Sequence, residues 1–182
     1  MIIIYGLSAT VSLLILITFL ILYDNKVSSI YALIFSLVMI CNMGYIWLLN
    51  STSLQEALLA NLICYTGGCF MPYLILLLVC KICEIKQKLW MVLIEFAICM
   101  FSFYIVATSG KNKMNYISVS LDTSGKYAKL VKEYGALHSF YTISMVLFMT
   151  ITFAVIIRSY LTKREVSFRT AIMLASICLI DV

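Results

Sequence analysis

Charge is scarce in this chain. Of its 182 residues, 12% are Asp, Glu, Lys or Arg against 64% apolar, and the mean hydropathy is +1.07. Soluble domains hold about a quarter charged and about half apolar residues. A soluble fold is therefore excluded, and the chain reads as an integral membrane protein. Histidine occurs once, as His138, and proline once, as Pro72. A single histidine rules out H-E-x-x-H, and neither G-x-S-x-G nor a Gly-rich phosphate loop occurs. Catalytic, metal-binding and cofactor-binding constellations are thus missing, and the chain is expected not to be an enzyme by itself. The net charge of +5 lies in loops between apolar runs, where it speaks for topology and anionic lipid, not for nucleic acid. Nor does the N-terminus show a short apolar core with a small-residue cleavage site, so the first apolar run reads as a retained helix.

Cysteine is plentiful, but its placement is uninformative. Cys41, Cys64, Cys69, Cys80, Cys83, Cys99 and Cys178 all lie within or beside apolar runs, where cysteine acts as a small hydrophobe. The C-x-x-C spacing of Cys80 and Cys83 has no second pair and no nearby histidine. It reads as structural.

A bilayer core needs about 20 apolar residues per helix. Runs of that kind span Ile2 to Tyr23, Ser28 to Leu49, Ala57 to Cys80, Leu89 to Thr108 and Leu137 to Ile157. A sixth begins near Ala171 and reaches Val182, too short to cross, which reads as a truncated span. The fold class expected is an all-α, polytopic helical bundle, with residues 1–182 forming one transmembrane unit. Basic residues set its orientation. Eight lie in or beside the first, third and fifth loops, among them Lys26, Lys81, Lys86, Lys88 and Arg158, against five in the loop 109–136. This places the N-terminus and the loop 109–136 outside. Within that loop "YISVSL" alternates, with Ile117, Val119 and Leu121 on one face and Tyr116, Ser118 and Ser120 on the other. "DTSG" then supplies a four-residue turn before "KYAKLVK". The pattern predicts a β-hairpin, held like a lid against the outer helix ends because a lone hairpin is marginal in water.

Gly67, Gly68 and Pro72 interrupt the third run, in "YTGGCFMP". Small residues let membrane helices approach closely. Pro72 lacks an N–H and crowds the carbonyl of Gly68, so a kink near mid-membrane is expected. Glu95 is the acid inside the fourth run, and an intramembrane carboxylate is a candidate functional residue. It is expected either to bond a Tyr or Ser of another helix or to reach the interface helped by Lys86 or Lys88. Tyr134, His138 and Tyr141 open the fifth helix and are candidates to line a ligand cavity under the hairpin.

Tyr65, Gly68, Phe70 and Pro72 in the third span, and Tyr134, Gly135, Leu137, His138 and Tyr141 at the entry to the fifth, resemble the N-terminal seven-helix membrane region of bacterial sensor histidine kinases. Ala136 stands where that family often has proline. The resemblance extends along all 182 residues in its layout of spans and loops. It implies a sensor domain in the bacterial cytoplasmic membrane, one that takes an outer or intramembrane signal from an unknown small-molecule ligand. The signal would pass through the last helix to a missing C-terminal cytoplasmic output domain, a histidine kinase or a diguanylate cyclase of the GGDEF type, in a homodimer. On that reading Tyr65, Gly67, Gly68, Pro72, Glu95, Tyr134, His138 and Tyr141 are candidates for ligand contact or signal relay. The rival reading is a small transporter or channel-like protein, which predicts broken helices in corresponding halves. Only one span carries such an interruption.

Overall fold

The computed structural model describes residues 1–22 and 26–162. The sixth apolar run, with Cys178 and Asp181, and the basic residues Lys163, Arg164 and Arg169 lie outside them. Five helices follow the apolar runs: α1 (Ile2–Leu22), α2 (Lys26–Leu49), α3 (Leu54–Ile82), α4 (Leu89–Ala107) and α5 (His138–Leu161). Each is long and apolar enough to cross a membrane. Strands β1 (Tyr116–Asp122) and β2 (Lys129–Tyr134) form an antiparallel hairpin between α4 and α5. Large apolar side chains on α1 and α4, such as Ile3, Ile4, Leu89 and Trp90, are exposed, as a lipid-facing surface requires.

Helix α3 is central. Its start is fixed locally by Ser53, whose hydroxyl accepts from the Glu56 amide, while the Glu56 carboxylate accepts from the Thr52 amide at 2.9 Å. Ser53 thus satisfies an orphan donor of the first turn, while Glu56 reaches one residue further back than in a standard Ser-x-x-Glu box, to the residue before the cap. Glu56 also takes the Trp47 indole N–H at 2.9 Å, which ties the end of α2 to the start of α3. Helix α3 then runs through Pro72 to Ile82 without interruption. It ends with Glu84 in the left-handed region at φ 53°, and the Ile85 amide reaches back to the Cys80 carbonyl at 2.8 Å. That closure satisfies late carbonyls of the helix.

Packing around α3 depends on small residues. At Gly44 of α2, a Cβ would stand 2.9 Å from the backbone nitrogen of Cys64. At Gly67 it would stand 3.1 Å from Cβ of Cys41. Ala57 and Ala60 are fully buried. Deeper, Met71, Ile75 and Val79 of α3 form one core cluster with Met149 and Ile156 of α5, while Leu76 and Cys80 join Cys99 of α4 and Phe148 of α5 in another. Helix α1 rests on α2 through aromatic pairs, Tyr5 on Tyr45 at 4.9 Å between ring centroids and Phe19 on Tyr31 at 5.2 Å. The hydroxyls of Ser102 and Ser144, both buried, meet between α4 and α5 at 3.5 Å.

The hairpin departs from its sequence pattern in two ways. Its connection is the six residues 123–128, not the four of "DTSG". The carboxylate of Asp122 does build a local turn, accepting from the amide of Ser124 at 2.9 Å and its hydroxyl at 2.7 Å, and these bonds hold the Asp122 carboxyl below its usual range. Yet the Ala128 amide donates to the Leu49 carbonyl at the end of α2, so the chain detours onto the helices before pairing resumes at Lys129. The second departure is a bulge. Tyr116 pairs with Tyr134 and Ser118 with Glu133, which leaves Ile117 extra. One additional residue reverses the face of everything before it. Tyr116 therefore shares the helix side with Val119 and Leu121, and it is 2% exposed while Ile117 is 49% exposed.

Candidate functional site

A cavity of about 540 Å³ lies between α2, α3 and α5. One end is under the hairpin, where Lys132 of β2 and Asn61 of α3 contribute to its wall. The other end reaches Val38 of α2, Met71 and Pro72 of α3, and Met145 of α5. From Asn61 to Pro72 the α3 axis rises about 16 Å, at about 1.5 Å per residue.

The close approaches described above also shape this space. The two glycines keep the α3 wall thin, Gly67 against Cys41 of α2 and Gly68 facing the hydroxyl of Tyr141. Tyr141 meets Tyr65 edge to face at 5.0 Å between centroids, joining α5 to α3 across the cavity. Cys41 donates its thiol hydrogen to the Cys64 carbonyl at 3.1 Å. Every cysteine among the described residues is a free thiol, including Cys80 and Cys83. No group of three or more His, Cys, Asp or Glu is placed to hold a metal ion among the described residues.

At the hairpin end a polar hub stands over the cavity. Asn61, 3% exposed, accepts from Lys132 Nζ at 2.8 Å and donates to the Tyr116 hydroxyl at 3.4 Å. The Lys132 ammonium lies 5.3 Å from the Tyr116 ring centroid and 5.7 Å from that of Tyr65, within range of cation–π attraction. An amide buried this far inside an apolar helix must find a partner. Asn61 finds one 71 positions later in the chain.

Of the residues singled out from sequence, Tyr65, Gly67, Gly68, Pro72 and Tyr141 all line this cavity. Tyr134, His138 and Glu95 do not. Tyr134 and His138 stack on each other at 3.9 Å, and His138 Nδ1 meets Asn115 Oδ1 at 3.2 Å. Asn115 in turn donates to the Ser109 hydroxyl at 2.6 Å, so the histidine braces the corner where the hairpin enters α5. Among the described residues, Glu95 bonds neither a Tyr or Ser of another helix nor a lysine. Its two carboxylate oxygens accept from Gln87 at 3.1 and 3.3 Å, just ahead of its own helix. It stands six residues into α4, about 9 Å by helical rise, and is half-buried. Glu95→Gln and Glu95→Leu are therefore both expected to shift stability by less than about 1 kcal/mol, because Gln87 lies outside the helices and can turn to water. Thermal unfolding of the two variants checks this; a larger loss for Leu than for Gln would mean a buried partner.

Sequence reasoning missed Lys132 and Asn61. Asn61 had a signal, as the one amide in the run Ala57 to Cys80. Lys132 had none, being one of five lysines in a polar loop.

Comparison with known families gives one result. The family described as the N-terminal 7TM region of histidine kinase matches residues 4–181. No curated protein and no solved structure matches the chain.

Proposed function

Because the chain belongs to the family of N-terminal 7TM regions of histidine kinases, we propose that it is the input half of a bacterial two-component signalling protein in the cytoplasmic membrane. The observation that carries this reading is the cavity under the hairpin, which gathers Tyr65, Gly67, Gly68, Pro72 and Tyr141 where α3 faces α2 and α5. A small molecule entering it would compete with the edge-to-face contact of Tyr65 and Tyr141 and with the seat of the Tyr141 hydroxyl on Gly68. Ligand binding then biases two packings of α5 against α3, to the extent that the ligand prefers one of them. The shift passes along the chain after α5 to a cytoplasmic output domain, acting in a homodimer.

This mechanism requires the hairpin end to face outward, as the basic residues beside Lys81, Lys86 and Arg158 favour. Reporter fusions in the full-length protein test it. A fusion at Gly125 reads extracytoplasmic, and fusions at Lys86 and Arg164 read cytoplasmic. A cytoplasmic signal from Gly125 inverts the molecule and ends the outer-sensor reading.

A further inference from the structure

We propose that the cavity takes an anionic amphiphile, a carboxylate or phosphate ester with a medium-length apolar chain, its head on Lys132 and its tail along α3 toward Pro72. This deepens the sensor reading and rests on it. Among the described residues that line the cavity, Lys132 is the one that carries charge. Its partners are neutral: the Asn61 amide oxygen at 2.8 Å and the faces of Tyr65 and Tyr116. These contacts hold the ammonium at the hairpin end of the cavity without neutralising it. A half-buried cation surrounded by neutral groups favours an incoming anion, because a charge-assisted hydrogen bond is roughly twice as strong as a neutral one.

The far end of the cavity has the opposite character. Val38, Met71, Pro72 and Met145 offer no charge, and the methionines supply adaptable apolar surface. Polar and apolar ends are separated along about 16 Å of the α3 axis. Such a gradient matches a molecule with an anionic head and an apolar tail. It does not match a free inorganic anion, which would leave the lower cavity without a partner. Nor does it match a cation, which Lys132 repels.

Such a ligand could reach the site from solution or from the membrane as an anionic lipid, and the test separates the two sources. The full-length protein is placed in phosphatidylcholine nanodiscs and titrated with decanoate, decyl phosphate, decanol, decyltrimethylammonium and inorganic phosphate. Saturable binding is followed by calorimetry, and thermal midpoints without ligand confirm that each variant is folded. Decanoate and decyl phosphate bind; decanol, decyltrimethylammonium and inorganic phosphate bind at least about tenfold more weakly.

Lys132→Gln lowers anion affinity by about tenfold or more, and Lys132→Arg retains most of it. Asn61→Asp is the sharper variant. It keeps the size of the side chain and its link to Lys132, but places a carboxylate where the head must sit, so it abolishes anion binding while the fold stands. Equal binding of decanol and decanoate, or unchanged affinity in both Lys132→Gln and Asn61→Asp, overturns the proposal. Equally tight binding of inorganic phosphate overturns the tail. Replacing part of the phosphatidylcholine with phosphatidylglycerol weakens decanoate binding if membrane lipid is the natural occupant, and leaves it unchanged if the source is soluble. Both results support the shared chemistry. Failure of anion binding with Gly125 still reading extracytoplasmic removes this ligand class alone and leaves the sensor reading in place.

Discussion

Gly44→Leu separates α2 from α3 and destabilises the protein by about 3 kcal/mol, at the upper end of what overpacking a close contact costs. The atoms a side chain would meet are the reason. A Cβ at Gly44 stands 2.9 Å from the backbone nitrogen of Cys64, and backbone cannot rotate out of the way. Ile63 Cγ2, also at 2.9 Å, closes the other side. In lipid the two helices have no hydrophobic gain from meeting, so packing distance carries much of their association. Gly6→Leu is the matched control, since nothing lies within 4 Å of a Cβ there. Thermal unfolding in detergent distinguishes them. If both variants melt together, Gly44 is not a close-packing site.

Gly68→Leu gives a different result, with a small effect on stability and a large one on signalling. The nearest atom to a Cβ at Gly68 is the Tyr141 hydroxyl. That is the far end of a side chain and can swing aside, so the stability loss is about 1 kcal/mol. The displaced ring must give up its edge-to-face contact with Tyr65, and the leucine occupies the cavity. On the proposed mechanism this holds α3 and α5 in one packing. An imbalance of about 1 kcal/mol already shifts a balanced two-state equilibrium several-fold. Signalling output of the full-length protein is therefore fixed high or low and no longer responds to a cue. Pro72→Ala, which restores a backbone donor and adds no bulk, has the smaller effect. Wild-type output and response from Gly68→Leu would reduce the Gly67–Pro72 stretch to packing alone.

Much of the architecture could be read before any coordinates. Five helices begin and end within a few residues of the apolar runs, because the demand for about 20 apolar residues per crossing is a property of the bilayer. Which helix is central was harder to read. All five are similarly apolar, so hydropathy does not separate a lipid-facing helix from one surrounded by protein. The distinguishing mark of α3 is its small residues, Ala57, Ala60, Gly67 and Cys69, each buried.

In the site, Gly67, Gly68 and Pro72 were visible as interruptions of an apolar run, and Tyr65 and Tyr141 through the family resemblance. Lys132 was invisible because strand register is not written in the loop's composition. It lies opposite Val119, and only the pairing of β1 with β2 sets it apart from the other four lysines of the loop; the bulge at Ile117 hid its neighbour Tyr116, which it moves to the same helix side. Glu95 misled for the opposite reason. Its position in an apolar run suggested a deep partner, but its true partner Gln87 lies eight positions earlier and outside the helix.

The bond between Lys132 and Asn61 also constrains the order in which the molecule is assembled. Helices enter the bilayer as they are synthesised, and α2 and α3 can pair as soon as both are in place, since Gly44, Cys64 and the Trp47–Glu56 bond lie close in the chain. Asn61 must then wait. Its two side-chain partners, Tyr116 and Lys132, are 55 and 71 residues downstream. During that interval the amide inside α3 needs some other partner, such as water. It gains its folded partners only when the hairpin folds back onto α2 and α3. The cavity acquires its charged end at that moment, so closure of the hairpin is the step that completes its wall.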